Sequence, residues 1–461
     1  MRRLVVMLCA VVAALTSPSL ARATEVSLVM DDGVHIFASV LEPGGSPPTG
    51  GWPGVMMFHG LGGNHKDLLP LADTYVAKGY AVFVPDARGH GASGGYVSLD
   101  GPREVADVRS ELQWFAGLPD VSDTQIGAWG ISLGGGAAWN SVVAGVPFRA
   151  LETFQTWSDL YSALYPQNLG KAGAIYAFAQ SVPPERIDPA LRAFVPQLIS
   201  GDNLSAARDL LGSRSSLKFL STVTTPSFLF QGRRDFAFDI DQAAAAYSRL
   251  GGPKRLYVGD FGHSPSRFPG PDLAHVLELS TRWYDRFLKN EPNGVDKEKP
   301  VQVASDPWRT AASYPSVPKV LRFTLNRGGA QVMTARGKIV YTFPPLKRTV
   351  EQFGAPVVSV TASTTTQWPH LVAVLTAGST VLSEGGALTP FGKTPRGVKF
   401  KLIADANLLK RGTRLRLTLG GTSTVQNIAN LLYLKPVPDE ARLKVGRVTL
   451  TMPVLPKPIS R

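Results

Sequence analysis

From Val26 to about Leu288, short apolar runs alternate with longer amphipathic stretches. Residues 55–58, Val-Met-Met-Phe, read as a buried strand. Residues 67–78 carry a helical pattern that ends at Gly79, and residues 80–84 form the next apolar run. A helix is expected over 102–115, with Pro102 in its first turn and Gly117 after its end. A strand over 124–129, a helix over 133–143 and a strand over 148–154 follow, and strands resume at 226–231 and 255–258. An amphipathic helix over 271–288 closes the series. Strands alternating with helices in this way predict a mostly parallel sheet with helices on both faces.

The rhythm breaks between Trp157 and Thr222, where helical patches and prolines occur without a convincing strand. This stretch, about 157–222, is expected to lie over the sheet as a helical cap. The polar run Asn290-Glu291-Pro292-Asn293-Gly294 reads as a linker. Beyond it, runs such as Val357-Val358-Ser359-Val360-Thr361 and Leu415-Arg416-Leu417-Thr418-Leu419 are short, alternating and bounded by turns. That texture predicts an all-β sandwich. The expected organisation is an α/β catalytic unit over 24–295 and a β-sandwich over 300–461.

Residues 1–23 stand apart. Arg2 and Arg3 precede an apolar run, and Ala21-Arg22-Ala23 offers a small-x-small cleavage site. The segment therefore reads as a signal peptide, giving a secreted or periplasmic protein of bacterial type that begins near Thr24. The single cysteine, Cys9, falls inside it. The mature chain is then expected to have no disulfide, no thiolate nucleophile and no cysteine metal site. No later run of about 18 apolar residues suggests a membrane span. The formal charge is +13. Basic residues gather at Lys393-Thr394-Pro395-Arg396 and at Lys410-Arg411 without any nucleic-acid-reading motif. Scattered surface charge, with loose attraction to an anionic envelope surface as the alternative, accounts for them. Neither a metal nor an organic cofactor is expected.

The strongest chemical signal is Gly130-Ile131-Ser132-Leu133-Gly134, placed after a strand and before a helix. A G-x-S-x-G sequence in that context forms a sharp turn that projects the serine hydroxyl above the sheet. A hydroxyl needs a base, and the base needs an orienting carboxylate. Of the seven histidines (35, 59, 65, 90, 263, 275 and 370), His263 follows a strand and precedes the last helix, at the sheet edge where ligands bind. Asp235 ends the strand-to-turn run Phe228-Leu229-Phe230-Gln231-Gly232-Arg233-Arg234-Asp235 on the same edge. Asp239 and Asp241 are rivals that suit a helix start, and Asp260 is close to His263 along the chain. The oxyanion donors are expected from the amides of Leu133, next to the serine, and Leu61, in the loop His59-Gly60-Leu61-Gly62-Gly63. His59 and Ser93 are expected to be structural.

Together, HGLGG, PDARGHGASGG, GISLGG, QGRRD and FGH resemble the α/β-hydrolase superfamily over residues 25–290. Within it the chain is similar to the branch of X-prolyl dipeptidyl-peptidases and cocaine-esterase-type (CocE/NonD) hydrolases. The resemblance implies a helical cap and a C-terminal jelly-roll-like domain. It also implies a Ser132, Asp235, His263 triad working on an ester or peptide acyl bond. That branch uses a tyrosine hydroxyl after the third strand, where this chain reads His59-Gly60-Leu61. A backbone oxyanion hole of the esterase kind fits better, so a carboxylesterase-like activity is expected. Dipeptide release from X-Pro peptides, acyl transfer, and a non-catalytic envelope- or carbohydrate-binding role remain open.

Overall fold

The computed structural model describes residues 22–304, 309–311, 319–325, 329–388, 391–421 and 437–455. Most of the expected export segment, residues 1–21, lies outside the described residues. Strand β1 (Arg22–Val29) pairs antiparallel with β2 (His35–Glu42). Strand β3 (Trp52–Phe58), helix α1 (Leu69–Val76), β4 (Ala81–Pro85), α2 (Pro102–Ala116), β5 (Val121–Ile131), α3 (Leu133–Val143) and β6 (Ala150–Phe154) follow. The cap contributes α4 (Leu160–Leu164), α5 (Ala172–Ala179), α6 (Pro189–Ser200) and α7 (Leu204–Gly212), with no strand among its described residues. The chain then returns to the sheet through β7 (Ser227–Gly232), α8 (Ile240–Arg249), β8 (Lys254–Gly259) and α9 (Leu273–Leu288).

The strands align in the order β1-β2-β4-β3-β5-β6-β7-β8, and the run from β4 to β8 is parallel. Period-2 alternation sorts their side chains onto two apolar faces. Met56, Phe58, Ala128, Leu151, Leu229 and Leu256 join one core with residues of α2, α3 and α8. Val55, Met57, Trp129, Phe154, Phe230 and Tyr257 join the other with α1 and α9. Phe154 stacks on Phe230 with centroids 4.3 Å apart. Truncating such a buried ring to alanine costs about 3–5 kcal/mol. Helix α9 buries Val276, Leu279, Trp283 and Tyr284, one face of a 3.6-residue repeat.

The catalytic sheet does not stop at the linker. Strand β9 (Val301–Val303) adds parallel to β8, and β10 (Arg309–Ala311) adds antiparallel to β9. The expected boundary near 300 therefore falls too early. The runs are only three residues long, too short to show a period, yet Val301 and Val303 are fully buried. At the other end, Arg22 and Ala23 pair with Glu42 and Leu41, so β1 begins two residues before the expected mature start.

The C-terminal region is all antiparallel. Its strands are β11 (Lys319–Leu325), β12 (Gln331–Thr334), β13 (Lys338–Thr342), β14 (Val350–Gly354), β15 (Val357–Thr364), β16 (His370–Ala377), β17 (Thr380–Leu388), β18 (Arg396–Lys401), β19 (Asp405–Leu409), β20 (Leu415–Gly420) and β21 (Arg442–Val454). A seven-stranded sheet built around β18-β15-β21-β14-β19, with β11 and β12 also on β21, shares one apolar core with the four-stranded sheet β13-β20-β16-β17. Backbone amides of this β domain donate hydrogen bonds to the catalytic unit. Ala406 N donates to Arg233 O (3.0 Å), and Ala404 N donates to Asp239 Oδ2 (3.0 Å).

Candidate active site

Strand order reverses at β3, because β4 lies on one side of it and β5 on the other. Loops leaving the carboxyl ends of β3 and β5 then diverge and leave a crevice between them. Ser132 stands at the end of β5, directly in that crevice. Its backbone has φ 55° and ψ −115°, a conformation that L-residues rarely adopt. The flanking glycines make the turn possible. A Cβ on Gly134 would sit 2.1 Å from the carbonyl oxygen of Phe58, and one on Gly130 would sit 2.1 Å from that of Gly134. Ser132 N donates to Phe154 O (2.9 Å), and Thr156 Oγ1 donates to Ser132 O (2.7 Å), which fixes the strained residue from both sides.

Ser132 Oγ lies 3.0 Å from His263 Nε2. His263 Nδ1 lies 2.8 Å from Asp235 Oδ2, and the same oxygen accepts the His263 backbone N–H at 2.9 Å. Asp235 is fully buried, and its other oxygen accepts the amides of Ala237 (3.0 Å) and Phe238 (2.9 Å). A carboxylate held by four donors has one orientation. The Phe238 ring meets the His263 imidazole edge-on at 5.1 Å, and Phe178 of the cap approaches it at 6.1 Å. The structure thus joins the three residues singled out in the sequence into one hydrogen-bonded chain.

The rival carboxylates are engaged elsewhere. Asp239 accepts from Ala404 N, Asp241 lies in the first turn of α8, and Asp260 pairs with Arg233. Burial raises Asp241 to about 6, and neighbouring Asp239 adds to that. His275 contacts Gln302 (3.2 Å), and His370 bonds Gly421 O in the β domain. His59 is buried, with Nδ1 2.7 Å from Gly60 O and Nε2 accepting Ala87 N at 3.0 Å. Burial holds its imidazole below the usual range. Ser93 Oγ accepts Phe37 N (2.8 Å) and donates to Asp86 O (2.7 Å). Both are parts of the loop framework.

Leu133 is the first residue of α3, and a helix leaves its first amides without an intrahelical acceptor. The loop after β3 turns tightly, with Gly63 N donating to Gly60 O (3.0 Å). It passes so close that a Cβ on Gly60 would lie 3.5 Å from Ser132 Cβ. Leu61 and Leu133 both line the pocket that opens at Ser132.

That pocket measures about 740 Å³ counting its open mouth. Apart from Ser132, its lining side chains are apolar, and the cap supplies most of them, including Leu164, Ile175, Phe178 and Leu198. The cap tyrosines Tyr161, Tyr165 and Tyr176 are not among the lining residues. Tyr161 donates to Asn168 Oδ1 (2.8 Å), Tyr165 donates to Leu198 O, and Tyr176 is exposed.

One functional neighbour went unnoticed in the sequence. Lys171, only 2% exposed, donates to Ala237 O at 2.8 Å. Burial pulls its ammonium below the usual range, while Asp239 and Asp235 oppose that shift. A lone lysine in a glycine-containing turn carries no periodic signal. Among the described residues, no group of three or more His, Cys, Asp or Glu side chains is arranged to hold a metal ion. No described helix is long and apolar enough to cross a membrane.

A doubly covered parallel sheet with a serine elbow, a helical cap and a trailing β domain defines an α/β-hydrolase of the serine class. Residues 32–265, about half the chain, match the family described as X-Pro dipeptidyl-peptidase (S15 family), and the chain belongs to that family of serine hydrolases. A putative Xaa-Pro dipeptidyl-peptidase of Bacillus anthracis is 21% identical over 369 residues, 65% of this chain and 59% of that protein. The chain thus spans about three fifths of the length of the curated relatives it matches. A CocE/NonD family hydrolase from Staphylococcus aureus shares the fold with TM-score 0.74, 15% identity and 94% of each chain covered. An α-amino acid ester hydrolase does so with TM-score 0.69, 15% identity, 96% of this chain and 98% of that one.

Proposed function

We propose that this chain is an exported carboxylesterase-like hydrolase whose substrates carry an uncharged, apolar acyl group. Ser132 Oγ attacks the ester carbonyl while His263 Nε2 accepts its proton. The imidazolium, oriented by Asp235, returns the proton to the leaving alcohol, and an acyl-Ser132 intermediate remains. His263 then activates water to release the acid. The Leu61 and Leu133 amides receive the negative charge that develops on the carbonyl oxygen.

The observation that carries the substrate class is the lining of the pocket. An exopeptidase that reads a free amino terminus must bind an ammonium, and a buried ammonium without a carboxylate partner is costly. No charged side chain lines this pocket. None of the cap's acidic residues, Asp159, Glu185, Asp188, Asp202 and Asp209, lines it. Asp159 caps α4 through Ser162 N (3.2 Å), Asp188 caps α6 through Ala190 N and Leu191 N (3.0 Å each), and Glu185 is exposed. The test is kcat/KM for 4-nitrophenyl butyrate against Ala-Pro-4-nitroanilide in one preparation. The ester should be strongly preferred. A preference for the anilide that disappears on acetylating its amine favours the X-Pro dipeptidyl-peptidase reading instead.

A further inference from the structure

We propose that the outer face of the seven-stranded sheet binds an anionic polysaccharide. Strands β11, β12, β15, β18 and β21 carry eight Lys and Arg residues and no Asp or Glu. Six of them, Arg322, Lys399, Lys401, Arg442, Lys444 and Arg447, stand in the outward register, in a chain whose total formal charge is +13. The alternation of each strand sends Val358, Val360, Val398, Phe400, Val448 and Leu450 into the core. Their neighbours therefore face outward. Register sets Lys399, Ser359 and Thr449 side by side in one row across β18, β15 and β21, with Thr324 of β11 completing it. The next row holds Lys401, Val357, Thr451 and Arg322.

Within this face there is a hollow. Ser359, Thr361, Gly397, Lys399, Arg447 and Thr449 line a groove of about 550 Å³ counting its open mouth. Two local departures make it. Gly397 stands opposite Thr361, where a side chain would occupy open space. The register of β15 on β21 also shifts between Val360 and Ala362, so Gly446 and Arg447 together oppose Thr361. A bulge of this kind re-aims side chains, and here it leaves Arg447 exposed beside the groove. Neither Lys399 nor Arg447 has an ion-pair partner among the described residues. The result is two cations two strands and one outward row apart, roughly 12 Å by backbone spacing, with the hydroxyls of Ser359, Thr361 and Thr449 beside them.

Protection of a sheet edge explains lysines on edge strand β18. It does not explain Arg447, because β21 is an inner strand, paired with β15 on one side and with β11 and β12 on the other at the residues that flank Arg447. Cations flanking hydroxyls suit sugar rings that bear carboxylate or phosphate groups. A single-stranded nucleic acid calls for aromatic stacking platforms, and no aromatic side chain lines the groove. A membrane surface calls for apolar side chains that insert; the outward side chains of the groove are hydroxyls and cations, and the exposed Val320 and Val332 of β11 and β12 lie outside its lining.

The experiment is affinity electrophoresis of the full chain through gels containing polygalacturonate, with dextran as the neutral control. Anionic phosphatidylglycerol vesicles and a thymidine 20-mer are assayed by co-sedimentation and by titration. Polygalacturonate should retard the chain and dextran should not. The pair K399Q/R447Q should weaken retardation at least tenfold, while K410Q/R411Q, which removes the same charge elsewhere, should retain it. Both pairs should keep the melting temperature and ester turnover of the parent. Equal losses in the two pairs would mean a net-charge effect and overturn the site. Absence of retardation, or binding to vesicles or the 20-mer that is as tight and equally sensitive to K399Q/R447Q, would overturn it as well.

Discussion

The ammonium of Lys171, in the cap, lies 2.8 Å from the carbonyl oxygen of Ala237, whose own amide donates to Asp235. The Phe238 N–H in the same peptide unit also donates to Asp235, so one residue and its following amide link the cap to the carboxylate that orients His263. On its far side the same loop is held by the β domain, through Ala404 N on Asp239 and Val381 O on Arg234 Nη2 (2.7 Å). Three parts of the chain therefore fix a single carboxylate.

Lys171→Met should accordingly lower kcat on the order of a hundredfold, the typical cost of a small misplacement of reacting groups. KM for a butyrate ester should change little, because Lys171 does not line the pocket. Steady-state kinetics together with a melting curve separate this outcome from a folding defect. An unchanged kcat would show that the loop holds Asp235 without the lysine.

Ser132→Gly should abolish ester turnover and stabilise the protein. At φ 55° and ψ −115° the serine is strained, and releasing such strain is worth about 1–3 kcal/mol. A lower melting temperature than that of the parent would mean the turn stores no such strain.

Burial pushes the Glu111 carboxyl up to about 8, with Asp107 adding to the shift and Arg88 opposing it. The folded chain then keeps a proton that the unfolded chain releases above its ordinary 4.5. The stability this group contributes is complete below that value and is lost as pH rises towards about 8. Glu111→Gln is neutral throughout. Its melting temperature should gain on the parent steadily from pH 4.5 to 8, and a constant difference would contradict the shift.

The elbow, the histidine and the acid were legible because each sits at a strand end with a local signature. Order along the chain added the rest, since Ser132, Asp235 and His263 follow three different strands of one sheet. The helices and strands of the α/β unit were equally plain from their periods. What escaped was set by contacts distant in sequence. Lys171 acquires its role from a carbonyl 66 residues away. Which cap residues line the pocket is likewise set by packing: the hydroxyls of Tyr161 and Tyr165 bond Asn168 and Leu198 O, while Leu164, Ile175, Phe178 and Leu198 face the cavity. Strands β9 and β10 were too short to show a period, and the basic groove exists only once register sets Lys399 and Arg447 on one face.

The pocket's apolar lining leads to a further expectation. With Ile175, Leu164 and Leu198 lining it, kcat/KM should rise from acetate to octanoate esters as added methylenes leave water, each worth up to about 0.8 kcal/mol. Ile175→Trp should shift the optimum to shorter chains. A flat profile across chain lengths would place the acyl group elsewhere.

The most direct test of the account is covalent. A fluorophosphonate probe reacts with an activated serine, and mass spectrometry of the digest locates the adduct. One equivalent per chain is expected on the peptide that carries Ser132, with labelling lost in Ser132→Ala and strongly slowed in His263→Ala. An adduct on another residue, or ester turnover that persists in Ser132→Ala, would contradict it.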